Sequence, residues 1–457
     1  MSPLIPEDWE GIDAPSISVE PPGPRSREVL GRIERDAYPG LSAGLTPLAL
    51  DHKRAWTVTD ADGNVYLDLA SASASVPLGA GRPELLGPVT EALARFGNED
   101  SHALVSELTA RLGERLLELT PARLTRYDIA LNGTEAVEIA IKLMRRSTGR
   151  PVIIGFHGSY HGESTLTAAL GAEAAEISRG LRGLVPGFVH VPYPHPYRSP
   201  LRDPRPGGSG DATVDYLRDH VLFHALDPTE VAGVMIEPVL GSGGCVAPPD
   251  SFWPALVELC AEHDWLLCAD EVKTGIGRSG RLFAVERWGV EPDLMCLGKA
   301  LGGGAMPIGA LLGSERAISG FDDVPTGSTW AWLPASCAAA LATLEIFERE
   351  PVLEHVRELE RVGRERLGGL RDRFDRIGDV RVTGCFMAIE FVRDRETRDR
   401  DPELQDAVAA QALRRGVIAD SSTTSLNLQP SLVMPGATLG RAFDLVGEAI
   451  EAALAAE

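Results

Sequence analysis

The rhythm of apolar and polar positions changes near residue 128. Before it, WTVTDADGNVYLDL (56–69) alternates apolar and polar residues on either side of an Asp-Gly pair, which predicts two strands joined by a tight turn. From about 128 to 313, short apolar runs carry no polar alternation: DIAL (128–131), VIIGF (152–156), FVHV (188–191), VMIE (234–237), WLLCAD (265–270), LMCL (294–297) and IGALL (308–312). Strands buried on both faces read in this way. Helical segments separate the runs, so the pattern predicts an α/β fold: a mostly parallel sheet of about seven strands between helices. Past about 335 the period is helical over Ala338–Leu370, Asp406–Arg415 and Gly440–Ala455, with strand-like pieces near Val380–Val392. Residues 1–30 are proline-rich and predict an extended arm, and HPYRSPLRDPRPGGSGDA (195–212) predicts a surface loop. The expected organisation is an N-terminal arm with part of a small domain (1–75), a large domain (76–330) and a C-terminal small α+β domain (331–457).

Composition narrows the function classes. The 457 residues exceed one ordinary core, and the formal net charge of −22 disfavours nucleic acid and anionic membranes as partners. The six cysteines form no C-x-x-C pair and several lie in apolar runs, which suits buried thiols in a reducing compartment. The opening MSPLIPEDWEG lacks the order of a signal peptide, and no apolar stretch reaches the roughly 18 residues of a membrane helix. A cytoplasmic protein is expected.

Four short segments carry candidate chemistry. In ALNGTEAVEIAIKLMRR (130–146) a strand ends, Asn132-Gly133-Thr134 turns, and a helix with an apolar face begins; Asn132 and Glu135 are spaced as a capping pair. Free amides at such a helix start can cap only the helix or can also receive a phosphate. In GFHGSYHGES (155–164), His157 and His161 are four apart, but the glycines and serine argue against a helix, so no metal is expected; Tyr160 could stack on a flat ring. In CADEVKTGIGRSG (268–280) the glycines match a dinucleotide fingerprint in the wrong context, since Arg-Leu-Phe follows where a helix should open. The informative residue there is Asp270, a carboxylate at the end of an apolar strand. Asp60-x-Asp62-Gly resembles part of a calcium loop but lacks the later ligands. Finally, Lys299 stands in apolar, Gly-rich MCLGKALGGGAMP (295–307), where it is either a snorkelling or ion-paired lysine or an amine whose desolvation would lower its pKa and make it a nucleophile. Gly298 and Gly302 to Gly304 would leave it room to swing.

A phosphate cradle, a stacking aromatic, a strand-end carboxylate and an activated lysine together describe a site for pyridoxal phosphate held as a Schiff base. In order and spacing the chain resembles the class III (ω-type) aminotransferases of the fold type I pyridoxal-phosphate family, from about Thr46 to Leu432. The resemblance implies that Gly133 and Thr134 hold the phosphate and that Tyr160, beside His161 and Gly162, stacks on one ring face. It implies that Val272 covers the other face, Asp270 pairs with the pyridine nitrogen, and Lys299 is anchor and proton carrier. It also implies a homodimer with active sites at the interface, where Thr329 would reach the neighbouring subunit's phosphate.

Several positions depart from that pattern. Lys273 stands where the family commonly has a glutamine that would touch the cofactor's phenolic oxygen, and a lysine there resembles the racemase branch. Ser242 replaces both the aspartate of that branch and the glutamate of the glutamate-using members. Asn427 replaces the arginine that pairs with that glutamate. Recognition of a carboxylate would then fall elsewhere, with Lys273 a candidate, or the substrate is an amine or amino-sugar-like compound without an α-carboxylate; Trp330 and Trp332 either line an apolar pocket or pack at the interface. The expected activity is transfer of an amino group between an amine or amino acid and a keto acid or aldehyde. The alternatives are a racemase or epimerase of the same family and a cofactor-binding protein without turnover.

Overall fold

All seven apolar runs become strands of one sheet: β1 (Arg126–Ala130), β2 (Val152–Phe156), β3 (Phe188–Val191), β4 (Val231–Ile236), β5 (Leu266–Asp270), β6 (Leu294–Leu297) and β7 (Gly309–Gly313). The computed structural model describes residues 4–43, 46–101, 103–181, 183–201, 209–319 and 326–456. The sheet order is β1-β7-β6-β5-β4-β2-β3. Only β7 runs against its neighbours; the other pairings are parallel. Six strands therefore point one way, and their C-terminal ends share one edge, where open α/β sheets carry their ligands.

Burial on both faces explains the unbroken apolar runs. Leu267, Ala269, Met295 and Leu297 enter one core. Their strand neighbours Leu266, Cys268, Leu294 and Cys296 enter the core on the other face, with Ala136, Val137, Ala140, Ile141 and Met144 of helix α1 (Gly133–Thr148). Each fully buried Leu or Ile contributes about 1.5–3 kcal/mol, so a polar residue in these runs would be costly. A Cβ at Gly233 in β4 would lie 2.0 Å from the Leu266 carbonyl oxygen and 2.7 Å from Met144 Cε, so only glycine permits that approach.

The chain forms two compact units, Met1–Pro83 with Arg349–Glu457, and Glu84–Glu348, which holds the sheet. In the first unit the Asp-Gly hairpin forms as expected, Thr57–Asp60 against Val65–Asp68. Asp60 braces its own turn: Oδ1 accepts from Asp62 N and Asn64 N at 2.9 Å each, and Oδ2 from Tyr66 OH at 2.7 Å. A second sheet is built from Ile377–Thr383, Phe386–Phe391, Leu426–Leu428 and Asp420–Ser421. Arg82 and Glu350 form a buried ion pair at 2.5 Å within this unit.

Three local expectations are corrected. The N-terminal arm is not extended throughout: Glu7–Trp9 forms a helical turn that buries Trp9, and Pro24–Asp36 is an α-helix. Its first free amides, Arg25 N and Ser26 N, donate to Asp62 at 2.8 and 2.9 Å, a cap supplied from far along the chain. The helical stretch 338–370 is two helices, Pro334–Arg349 and Val352–Arg373, because Pro351 cannot continue the backbone ladder. In the 195–212 loop, residues 202–208 lie outside the described residues, and Ser209 opens a helix to Tyr216. No α-helix opens on Gly280, since three irregular residues and a short 3-10 helix, Ala284–Trp288, follow it, so the dinucleotide match fails as expected.

Candidate active site

At the sheet's C-terminal edge the turn after β1 is locked from both sides. Asn132 Oδ1 accepts from Glu135 N at 3.0 Å, and Glu135 Oε2 accepts from Leu131 N at 2.5 Å. Gly133 and Thr134 then begin α1 with free N–H groups at its positive end, which favours an anion. Glycines from separate loops bare this end. A Cβ on Gly133 would come within 2.4 Å of Val272 Cγ1, one on Gly298 within 3.1 Å of Gly133 N, and one on Gly162 within 2.5 Å of Thr134 Oγ1. Gly298 is thus a close-packing position and not swing room.

Two buried carboxylates end neighbouring strands. Asp270, the last residue of β5, faces His161 Nδ1 at 2.6 Å through Oδ2 and accepts from Val272 N at 3.0 Å through Oδ1. Burial opposes a charged imidazole, but the hydrogen bond and charge of Asp270 outweigh it and raise the His161 pKa. His161 Nε2 is buried without a hydrogen-bond partner among the described residues. Glu237 follows β4, and its oxygens accept from Tyr160 N at 2.8 Å and Gly241 N at 2.9 Å.

Lys299 follows β6 with a backbone φ of +42°. A non-glycine residue held there costs about 1 kcal/mol or more, a strain found mainly where surroundings impose it. Its Nζ is 5.9 Å from the Tyr160 ring centroid. Among the described residues it makes no ion pair or hydrogen bond. Burial, and then the like charge of Lys273, push its pKa down to about 8, against the pull of Asp270, Glu237 and Glu173. Lys273 is only 6% exposed and likewise has no carboxylate partner among the described residues. Its stem packs on Gly241, where a Cβ would lie 2.4 Å from Lys273 Cδ.

Gly133, Thr134, Tyr160, His161, Asp270, Val272, Lys273 and Lys299 are therefore drawn together through shared contacts and charges. Ser242 lies half-buried in the turn after Gly241. Trp332 is a packing residue: fully buried, it donates from Nε1 to the Gly309 carbonyl at 2.6 Å and stacks on Tyr127, centroids 5.3 Å apart. Trp330 is 52% exposed, and Thr329 is exposed next to Ser328, whose Oγ donates to Glu135 Oε2 at 3.3 Å. Asn427 lies in the other unit, buried in the Leu426–Leu428 strand and accepting from Ser425 Oγ at 2.9 Å. Sequence reasoning missed Glu237, although VMIE ends an apolar strand on a carboxylate just as LLCAD does. Among the described residues no cluster of three or more His, Cys, Asp or Glu could hold a metal ion.

The glycine-bared helix start fits a phosphate, the half-buried Tyr160 ring beside Lys299 fits a flat ring, and Lys299 offers an amine without an ion-pair or hydrogen-bond partner among the described residues. Comparison with known proteins agrees with this cofactor chemistry. Residues 42–450 match the family described as aminotransferase class-III. An alanine/serine racemase of Pyrococcus horikoshii is 32% identical over 449 residues, 96% of this chain and 93% of the racemase. A 4-aminobutyrate aminotransferase of Mycobacterium leprae is 32% identical over 403 residues, 88% of this chain and 90% of that protein. Among solved structures, an amine transaminase from an uncultivated Pseudomonas species, solved with pyridoxal phosphate bound, superposes with a TM-score of 0.84 at 29% identity, covering 92% of this chain and 96% of that one. The chain belongs to the class III aminotransferases, fold type I enzymes that work through pyridoxal 5′-phosphate, and is itself an aminotransferase.

Proposed function

We propose that Lys299 anchors the cofactor and carries the proton in a transfer whose amino-group donor or acceptor bears a carboxylate read by Lys273. When bound, pyridoxal phosphate supplies an electrophilic carbon for amines and a ring that takes up the electron pair left when the adjacent C–H loses its proton. Gly133 and Thr134 hold the phosphate through the α1 amides. Tyr160 and Val272 would hold the ring between them. Asp270, steadied by His161 and Val272 N, would keep the ring nitrogen protonated. With the cofactor bound, the Lys299 amine would be the group that carries the proton away from the substrate carbon. A pKa near 8 leaves part of this amine uncharged at neutral pH.

The observation that carries the substrate reading is Lys273, a buried lysine that forms no ion pair among the described residues. Ser242 and Asn427 are uncharged, so neither supplies the ion pair a carboxylate needs. The racemase relative and Lys273 favour a second reading, racemisation, which needs a base on each face of the substrate; Ser242 is a poor second base. We infer further that the protein is a cytoplasmic homodimer with the Glu84–Glu348 unit as its cofactor domain. The exposure of Thr329 and Trp330 supports a role for that segment against the neighbouring subunit.

A single half-reaction tests the activity. Purified holoenzyme mixed with an amino acid should release one keto product per site as the cofactor's visible absorbance falls. Inverted amino acid with unchanged absorbance would overturn transamination in favour of racemisation. For the anchor, borohydride treatment should label the peptide containing Lys299, and the same label in Lys299→Ala would refute it.

A further inference from the structure

We propose that Glu237 is a positioning residue whose one carboxylate holds the Tyr160 turn and the Gly241–Ser242 turn at a fixed separation. The inference rests on the reading of Tyr160 as a ring-stacking residue and extends it to a group outside that set. Glu237 is 3% exposed, and among the described residues no Lys, Arg or His forms an ion pair with it. Burial raises its pKa, against the charge of His161 and the hydrogen bonds of the Tyr160 and Gly241 amides, and an apolar or amide side chain would avoid the cost of burying a carboxylate.

The two hydrogen bonds explain why a carboxylate stands there. Oε1 accepts from Tyr160 N at 2.8 Å and Oε2 from Gly241 N at 2.9 Å. Both partners are donors, so the side chain must be an acceptor at both ends; a glutamine would turn an NH₂ toward one of them. The amides lie in separate loops, after β2 and after β4. Tyr160 leads to His161, the partner of Asp270, and Gly241 carries the stem of Lys273. One carboxylate thus fixes both the stacking ring and the backbone on which Lys273 rests. The Tyr193 hydroxyl donates to the carbonyls of Glu237 and Pro238 at 3.2 Å each, holding the backbone from which the carboxylate reaches. Mutual charge is consistent with this placement: Glu237 helps raise the pKa values of both His161 and Lys299.

The test compares wild type, Glu237→Gln and Glu237→Asp as holoenzymes, by visible circular dichroism of the bound cofactor, cofactor dissociation and steady-state kinetics. Glu237→Gln should melt like wild type, lose most of the visible dichroic signal and drop kcat about tenfold or more with little change in KM. Glu237→Asp, charged but too short to span both amides, should not restore the signal. Wild-type signal and kcat in Glu237→Gln would overturn the proposal, and full rescue by Glu237→Asp would reassign the effect to charge alone. Hydrogen exchange on wild-type holoenzyme provides a check independent of variant folding: the Tyr160 and Gly241 amides should be protected, and fast exchange at both would also overturn it. If wild type itself shows no cofactor signal, the cofactor reading fails and not the role of Glu237.

Discussion

His161 Nδ1 stands 2.6 Å from Asp270 Oδ2, and both side chains are buried. With Val272 N on the other oxygen, Asp270 is held in one orientation by two donors. His161→Phe removes the stronger one. A hydrogen bond to a charged group contributes about 1.5–3 kcal/mol, so cofactor affinity should fall roughly 10- to 100-fold, measured by titrating apoenzyme with pyridoxal phosphate. Unchanged affinity would show that the pair does not act on the cofactor.

Gly133→Ala should impair cofactor binding and leave the apoenzyme folded, because its Cβ would meet Val272 Cγ1 at 2.4 Å. Adding Val272→Ala removes the clash and should recover part of the affinity. The measurement is the cofactor dissociation constant of both variants, and equal loss in the single and double variants would refute the steric account.

Lys299 is displaced from an ordinary value of 10.5 to about 8. Its amine is reactive only when uncharged, so the rate at which apoenzyme takes up the cofactor should rise with pH through about 8. In Lys273→Gln the like charge is gone, and the rise should move to higher pH. The same variant should raise KM for carboxylate-bearing donors and leave amines without a carboxylate largely unaffected.

Glu271 is fully buried, and burial pushes its pKa from 4.5 up to about 7, against hydrogen bonds from Thr274 and the Val285 amide. Between those values the folded protein keeps a proton that the unfolded chain has released. This contribution to stability is full below about pH 4.5 and is lost as pH rises through 7, on the order of 3 kcal/mol in all. Melting curves of Glu271→Gln should lack that decline between pH 5 and 7 when compared with wild type.

Trp332→Ala removes a fully buried indole, its hydrogen bond to Gly309 and its stacking on Tyr127. A loss of about 3–5 kcal/mol is expected, read as a lowered melting temperature. Enzyme that still folds at low temperature should show little change in KM, since the ring fills core and not a substrate pocket.

The sequence by itself determined the parts that rest on short-range pattern. The seven apolar runs, the Asn132–Glu135 cap and the lone charges Asp270 and Lys299 in apolar surroundings are all legible within about ten residues, because side-chain periodicity and capping are local physics. The tertiary structure decided what depends on distance in space. The carboxylate of Glu237 bridges loops after two different strands, Gly298 abuts Gly133, and Asp62 caps a helix that begins in the proline-rich arm. Trp330 and Trp332, two residues apart, divide between surface and core. No local pattern carries such facts, because a hydrogen bond or a close approach is set by where the packed sheet brings two backbones together.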